Sequence, residues 1–338
     1  MPRLRRVDSS EPGIARVRHG RGFRYLEHDG TPVVDREVAE RIRELAIPPA
    51  WDRVWICPHP RGHIQATGYD AAGRKQYLYH PAWRERQDRL KFAQMEEFAR
   101  ALPDLRERVT SDLARRGLVR ERVLGCGVRL LDLGFFRIGS ERYVAENETF
   151  GLATLRRSHL HFERGVAVFD YRAKGSFRHR QEVADASVLP TLRALKRRRG
   201  GGADLLAYRR GRTWVDVRSE EINEYLRDVA GGDFTAKDFR TWNATVLAAV
   251  ELAGVDLGPS PSKAARKRAA REATERVADY LSNTPAVCRS AYIDPRVFDL
   301  FDSGETIRRS LKRIVSGSEP GEFPDREQIE RAVLRLIS

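Results

Sequence analysis

The sequence predicts an α+β protein in two parts. A small β-rich N-terminal domain spans 1–85, and a mostly helical domain with one three-stranded antiparallel sheet spans 86–338. Three observations lead there. The first eighty or so residues are short strand-like runs separated by Gly, Asp and Pro. From about Trp83, apolar residues recur at helical intervals. One later stretch, "SHLHFERGVAVFDYRAKGSFRHRQEV", breaks at "ERG" and at "AKGS" into three short strands.

"FRYLE" and "HDGTPVVD" predict a hairpin around Asp29-Gly30. In "DREVAERIRELA", Val38, Ile42 and Leu45 predict a short helix over Asp35–Ala46. "RVWICP", "HIQATGYD" and "KQYLYH" are further strands, the last two joined by the turn "DAAG". In the second part, helical patterns run through "WRERQDRLKFAQMEEFARAL", "RERVLGCGVRLLDLGFF", "EEINEYLRDVA", "FRTWNATVLAAVELAG", "SKAARKRAAREATERVADYL" and "REQIERAVLRLIS". The three-stranded island interrupts them, and Lys174 falls in its second turn. "RALKRRRGGGAD", Arg193–Asp204, is expected to be a basic, glycine-rich loop, and no internal repeat is visible.

Composition narrows the partners. The 338 residues suffice for one large or two ordinary domains, and 41% of them are apolar. The formal charge of +14 and isoelectric point near 10.1 call for an anionic counter-surface, nucleic acid or membrane. The longest apolar runs, such as "VLAAVELAGV", are too short to span a bilayer, and "MPRLRRVDSS" leads into no apolar signal segment. Nucleic acid is therefore favoured. Cys57, Cys126 and Cys288 are odd in number and far apart, which argues against a disulfide framework and fits a reducing cytoplasm. "CPHPRGH" brings Cys57, His59 and His63 together, but no second ligand pair accompanies them, so no metal is expected.

Two features suit a polyphosphate. "RKQYLYH" puts Lys75, Gln76, Tyr77 and Tyr79 on one strand, with the two tyrosines on one face. "SKAARKRAARE" gathers Lys263, Arg266, Lys267, Arg268 and Arg271 on an alanine-rich helix. Either alone also fits an ordinary half-buried strand or solvated helix face. The overall charge makes a shared anion, double-stranded DNA, the better account of both.

Breaking a phosphodiester with side chains alone requires a nucleophile, cations for the charge on the non-bridging oxygens, and a proton for the leaving oxygen. Arginine's fork suits the second task and a partly desolvated lysine the third. Composition and periodicity do not single out which residues do this. Arg137 could pair with Glu141 or Asp132, Arg240 with Asp238; Lys174 could be an ordinary turn lysine, and Tyr292 a packing residue. Gly139 looks like a helix stop beside Arg137, and Arg240 sits near a helix start. Asn283 precedes "TP", a helix start with proline in its first turn, and Tyr292 precedes "IDP", where that helix must end.

Longer segments supply the missing signal. "AIPPAWDRVWICPHPRGHIQATGYDAAGRKQYLYHPAWRERQ", "FFRIGSERY", "KDFRTW" and "NTPAVCRSAYIDP" resemble, in order and over nearly the whole chain, type IB DNA topoisomerases of the poxvirus-like bacterial group. The resemblance implies the tyrosine recombinase/topoisomerase IB-like fold. It makes Tyr292 the nucleophile forming a 3′-phosphotyrosyl link, Arg137 and Arg240 the transition-state cations, and Lys174 the acid for the 5′ oxygen. Bond energy stays in the phosphotyrosine, so neither ATP nor metal is implied, and the expected enzyme is a monomer that clamps a duplex at the nucleoid. Gln76, Tyr77 and Tyr79 would lie in the clamp.

The chain departs from that pattern twice. Asn283 stands where many relatives have histidine, so it is assigned to charge stabilisation through its amide N–H. Gly175 follows Lys174 where viral relatives carry an aspartate, which removes that acid. A straight helix over 285–292 would also separate its ends by about 12 Å. Either the helix is broken or Tyr292 swings in with DNA. Two other readings fit less well. A tyrosine recombinase would show a HxxR-type box where this chain has Lys237-Asp-Phe-Arg240, and a helical N-terminal domain. A non-catalytic DNA-binding protein would have no need of all five positions.

Overall fold

A computed structural model describes residues 3–134, 136–139, 144, 148–173, 177–258, 260–317 and 324–338. The chain forms two compact units, 1–93 and 94–338, and the division falls within one long helix.

The first unit is an antiparallel sheet in the order β2-β1-β3-β4-β5. Its strands are β1 (Ile14–His19), β2 (Gly22–Leu26), β3 (Asp52–Ile56), β4 (Ile64–Tyr69) and β5 (Lys75–Tyr79). Helix α1 (Arg36–Glu44) starts at Asp35, whose carboxylate accepts from the Glu37 and Val38 N–H groups. It brings Ile42 onto a core of Ile14, Ile47, Val54, Ile56 and Ala66. The Asp70–Gly73 turn forms as its residues dictate: Asp70 Oδ1 accepts from the Ala72 and Arg74 N–H groups, and Gly73 takes φ +71°.

The first hairpin differs from expectation. β1 pairs with β2 through Gly20, at φ +58°. The Asp29-Gly30 turn exists, but beyond it only a single bridge, Leu26 to Pro32, joins back to β2. Proline cannot donate to a ladder, so no strand grows there.

The second unit is mostly helical. Helix α2 (Pro81–Leu113) leads into α3 (Arg120–Asp132). An antiparallel sheet follows: β6 (Leu160–Glu163), β7 (Val166–Arg172) and β8 (Arg178–Val183). Then come α4 (Leu189–Arg197), β9 (Ala207–Arg210), β10 (Thr213–Asp216), α5 (Ser219–Ala230) and α6 (Ala236–Gly254). The chain ends with α7 (Lys263–Tyr280), α8 (Pro285–Ala291), α9 (Arg296–Ser303), α10 (Arg308–Ser316) and α11 (Arg326–Ile337). The fold is α+β, as the sequence predicts. Helix α6 is buried over most of its surface and forms the axis of the core, carrying Phe239, Trp242, Ala244, Ala248 and Leu252 inward. No helix among the described residues is long and apolar enough to cross a membrane.

Two local expectations are corrected. The β9–β10 hairpin is a second sheet, closed by Gly211 at φ +59°. The stretch read as a loop from Arg193 is helical to Arg197, because Leu192 and Leu195 are buried and hold its first half on the core. The loop itself begins at Arg198, a buried guanidinium that donates to the Leu195 and Leu205 carbonyls.

A buried ionic cluster joins the helices. Arg106 of α2 binds Asp132 of α3 at 2.9 Å and Glu330 of α11 at 2.6 Å. Arg129 and Arg326 also bind Asp132, at 2.7 and 3.0 Å. Burial works against ionising Asp132, but Arg326, Arg106 and Arg129 outweigh it and hold the carboxyl below its ordinary range.

Candidate active site

Arg137 lies on a segment that threads through a tight crossing. Phe136 before it is buried edge-on against Phe169 of β7, with centroids 4.9 Å apart. The Leu152 and Ala153 N–H groups donate to the Arg137 and Ile138 carbonyls at 2.8 and 2.7 Å. Gly139, at φ +75°, meets Gly151 backbone to backbone, and a Cβ on Gly139 would fall 2.6 Å from the Gly151 Cα. Gly139 is therefore a crossing residue rather than a helix stop; α3 has already ended, with Gly134 at φ +88° just beyond it.

Arg240 lies in the second turn of α6 and is only 4% exposed. Its Nη2 donates to the Leu281 carbonyl at 2.7 Å, and its guanidinium carbon lies 5.5 Å from the Tyr292 ring centroid. Its Nε is buried with no partner among the described residues. Burial, then the nearby Arg137 charge, lowers its pKa, but a guanidinium remains cationic.

Arg137 Nη2 donates to the Ser282 carbonyl at 2.8 Å and to Asn283 Oδ1 at 2.5 Å. Asn283 Nδ2 is buried with no partner among the described residues. Tyr292 caps the C-terminus of α8, its N–H donating to the Cys288 carbonyl at 3.0 Å. Thr245, one turn and a half along α6 from Arg240, accepts from the Asp294 N–H at 3.1 Å, so the helix that carries Arg240 also fixes the chain beyond Tyr292. Arg137, Arg240 and Tyr292 line one cavity of about 350 Å³, with Lys237 from the first turn of α6 on its wall.

Neither arginine has a carboxylate within ion-pair distance among the described residues. Asp132 is engaged in the buried cluster, and Asp238 accepts from the Thr235 N–H and hydroxyl at 2.7 and 3.0 Å. Glu141 and Lys174 lie outside the described residues. The strands framing Lys174 are in register at Arg172 and Arg178, and the Ala173 N–H donates to the Phe177 carbonyl at 2.9 Å.

Of the two expected options, the broken helix is corrected: α8 is continuous, and Tyr292 lines the cavity. Both arginines reach the residues before α8 with their donors, and Arg240 also faces the ring of Tyr292 after it.

Comparisons with known proteins give the family. The family described as eukaryotic DNA topoisomerase I, catalytic core, matches residues 80–315, and the bacterial DNA topoisomerase IB N-terminal domain matches residues 22–70. The chain belongs to the type IB DNA topoisomerases. It is also 27% identical over 297 residues to a protein named DNA topoisomerase 1B from Acanthamoeba polyphaga mimivirus, which covers 86% of this chain and 88% of that protein.

The other candidate residues of this isomerase lie on two surfaces. On β5, Tyr77 and Tyr79 stack with centroids 5.9 Å apart, and Lys75 Nζ lies 5.6 Å from the Tyr77 centroid. Gln76 alternates to the other side with Leu78, which packs on the core, and donates to Asp70 at 3.0 Å. On α7, Lys263 and Lys267 are exposed, whereas Arg266 donates to the Phe301 carbonyl at 2.8 Å. In "CPHPRGH", Cys57 Sγ lies 3.4 Å from the His59 carbonyl and the His59 ring is bonded to Arg5, so these groups are engaged locally.

Sequence reasoning missed His179 on β8. Its ring packs edge-on against Tyr171, with centroids 5.3 Å apart, and its Nδ1 lies 3.5 Å from Ser282 Oγ. Burial, then Arg240 and Arg137, lowers its pKa. Strand alternation placed it on the face shared with Gln181 and Val183, but gave no hint of what stood opposite.

Proposed function

We propose that the enzyme relaxes supercoiled duplex DNA by transient cleavage of one strand at Tyr292. The phenol oxygen forms a bond to a backbone phosphorus and gives up its proton to solvent. The bond from phosphorus to the 5′ oxygen breaks, and Lys174 supplies the proton that makes that oxygen a hydroxyl. Arg137 and Arg240 take the charge that builds on the non-bridging oxygens, and the free Asn283 Nδ2–H group adds a donor. The nicked strand swivels about its partner. The 5′-hydroxyl then attacks the 3′-phosphotyrosine, restoring the strand and the phenol. One phosphoester replaces another at each step, so ATP hydrolysis is not needed and no step calls on a metal.

Residues 1–85 serve as the clamp domain and 86–338 as the catalytic domain of a monomer acting at the nucleoid in the cytoplasm. Lys75, Gln76, Tyr77 and Tyr79, with Lys263, Arg266 and Lys267, contact the duplex. The observation carrying this reading is that two arginines with no carboxylate partner among the described residues share a cavity wall with a tyrosine. Such a site is electrostatically incomplete until an anion enters.

Supercoiled plasmid tests it, with EDTA present and ATP absent. The wild type relaxes the plasmid and, after denaturation, remains attached to the 3′ end of the cut strand. Tyr292→Phe does neither while still binding DNA. Relaxation by Tyr292→Phe at the wild-type rate would remove Tyr292 from the chemistry.

A further inference from the structure

We propose that Ser282 and His179 are positioning residues that fix the segment on which both site arginines rest. This builds on the reading of Tyr292 and the arginines given above. The segment is Leu281–Asn283. Arg240 donates to the Leu281 carbonyl, and Arg137 donates to the Ser282 carbonyl and to Asn283 Oδ1. Any shift of these three residues moves both guanidinium groups.

The segment is the C-terminal turn of α7. The Asn283 N–H reaches back to the Ala278 carbonyl at 2.8 Å and the Ser282 N–H to the Asp279 carbonyl at 3.1 Å. Those two bonds define a Schellman turn, whose left-handed position is normally glycine. Here it is Ser282, at φ +50°. A serine accepts strain there that glycine would avoid. What serine adds is a hydroxyl, and that hydroxyl faces His179 Nδ1 at 3.5 Å.

His179 is set by the sheet. It lies opposite Tyr171 in the β7–β8 register and packs on that ring. Its Nε2 is buried with no partner among the described residues. The groups around it are Tyr171 from β7, Ser282 from the turn after α7, Arg137 from the segment after α3, Arg240 from α6, and Arg178 and Arg180 on its own strand. With cations on several sides the ring stays neutral, able to accept from Ser282 through Nδ1. It thereby links the hairpin whose connection carries Lys174 to the turn that holds the two arginines.

The test measures single-turnover cleavage of a labelled duplex by pre-bound enzyme, alongside equilibrium affinity for the same duplex and thermal melting. Ser282→Gly is the informative variant, since it relieves the backbone while removing the hydroxymethyl group that faces His179. It is expected to melt no lower than the wild type, to bind DNA within about threefold, and to cleave about tenfold more slowly. His179→Ala should lose a similar factor, and combining the two should cost little more than either alone. His179→Asn, whose amide sits where Nδ1 was, should recover most of the rate. Wild-type cleavage should also fall as the pH drops below the ordinary histidine range, and His179→Asn should flatten that part of the profile.

Should Ser282→Gly cleave at the wild-type rate, the positioning role is overturned, whatever His179→Ala does to folding. Tyr292→Phe, run in parallel, separates the two claims. If it is inert while Ser282→Gly is fully active, only this inference fails. If it cleaves normally, the assignment of the nucleophile fails instead.

Discussion

Arg106 and Arg240 are both largely buried arginines of the same unit, and they are held in opposite ways. Arg106 sits between Asp132 and Glu330, and those two acids raise its pKa despite burial. Arg240 has a carbonyl, a tyrosine ring and an unpartnered Nε, and its pKa is lowered. With Asp185 binding Arg129 at 2.7 Å, the first cluster sets three carboxylates against three arginines and is finished when the chain folds. The second has no balancing carboxylate among the described residues, and under the proposed function a phosphate supplies that charge. Stability and activity should therefore separate between the two regions.

Methionine substitutions at both sites test that contrast most strongly, because they keep the stem and delete the charge. Arg106→Met strands Asp132 and Glu330, and should cost about 3–5 kcal/mol in a urea melt. Arg240→Met should change stability by less than about 1 kcal/mol yet slow cleavage about 10²–10³-fold. A large loss of stability in Arg240→Met would mean that the two arginines are not different in kind.

Asn283 sharpens the comparison from the neutral side. Asn283→Ala should slow cleavage by about ten- to a thousandfold, whereas Asn283→His, which keeps a donor, should leave activity broadly intact. A harmless alanine would remove Asn283 from the site.

Acid should reach the two regions at different pH. Burial chiefly lowers the pKa of His63, His159 and His179, so the unfolded chain binds more protons than the folded one just below the ordinary histidine range. Stability should thus fall first as pH drops through about 6.5. The depressed Asp132 carboxyl contributes stability above its unfolded pKa, which is lost only at lower pH, below about 4. Melting temperatures from pH 8 to pH 3 should show the two declines in that order. Replacing Asp132 with asparagine should weaken the second and leave the first.

The smallest effect is expected far from both clusters. Lys75→Ala should reduce the slope of log affinity against log salt by about 0.9, with no change in the cleavage rate of bound DNA. An unchanged slope would take Lys75 off the DNA.

Much of this was legible in the sequence, for local reasons. Asp35, the Asp70–Gly73 turn and the Thr284-Pro285 helix start act on their immediate neighbours, so spacing reveals them. Tyr292, Arg137, Arg240 and Asn283 were found by resemblance of whole segments, since nothing in their spacing shows that they meet. The partners of Asp132 come from α2 and α11, 26 and 194 residues away, and leave no periodic trace. Ser282 was hidden for a different reason. A serine at a helix end suggests nothing, because the left-handed turn it occupies is announced by glycine when it is announced at all.

The bond between Arg106 and Glu330 spans 224 positions of chain. A ribosome must add 224 further residues after Arg106 before the acid that completes the cluster is made. Until then Arg106 lacks one of its two acids, and the helix bundle waits for its keystone. Synthesis stalled ahead of α11 should accordingly yield a chain that chaperones hold and proteases remove, even though every residue of the cavity has already been made.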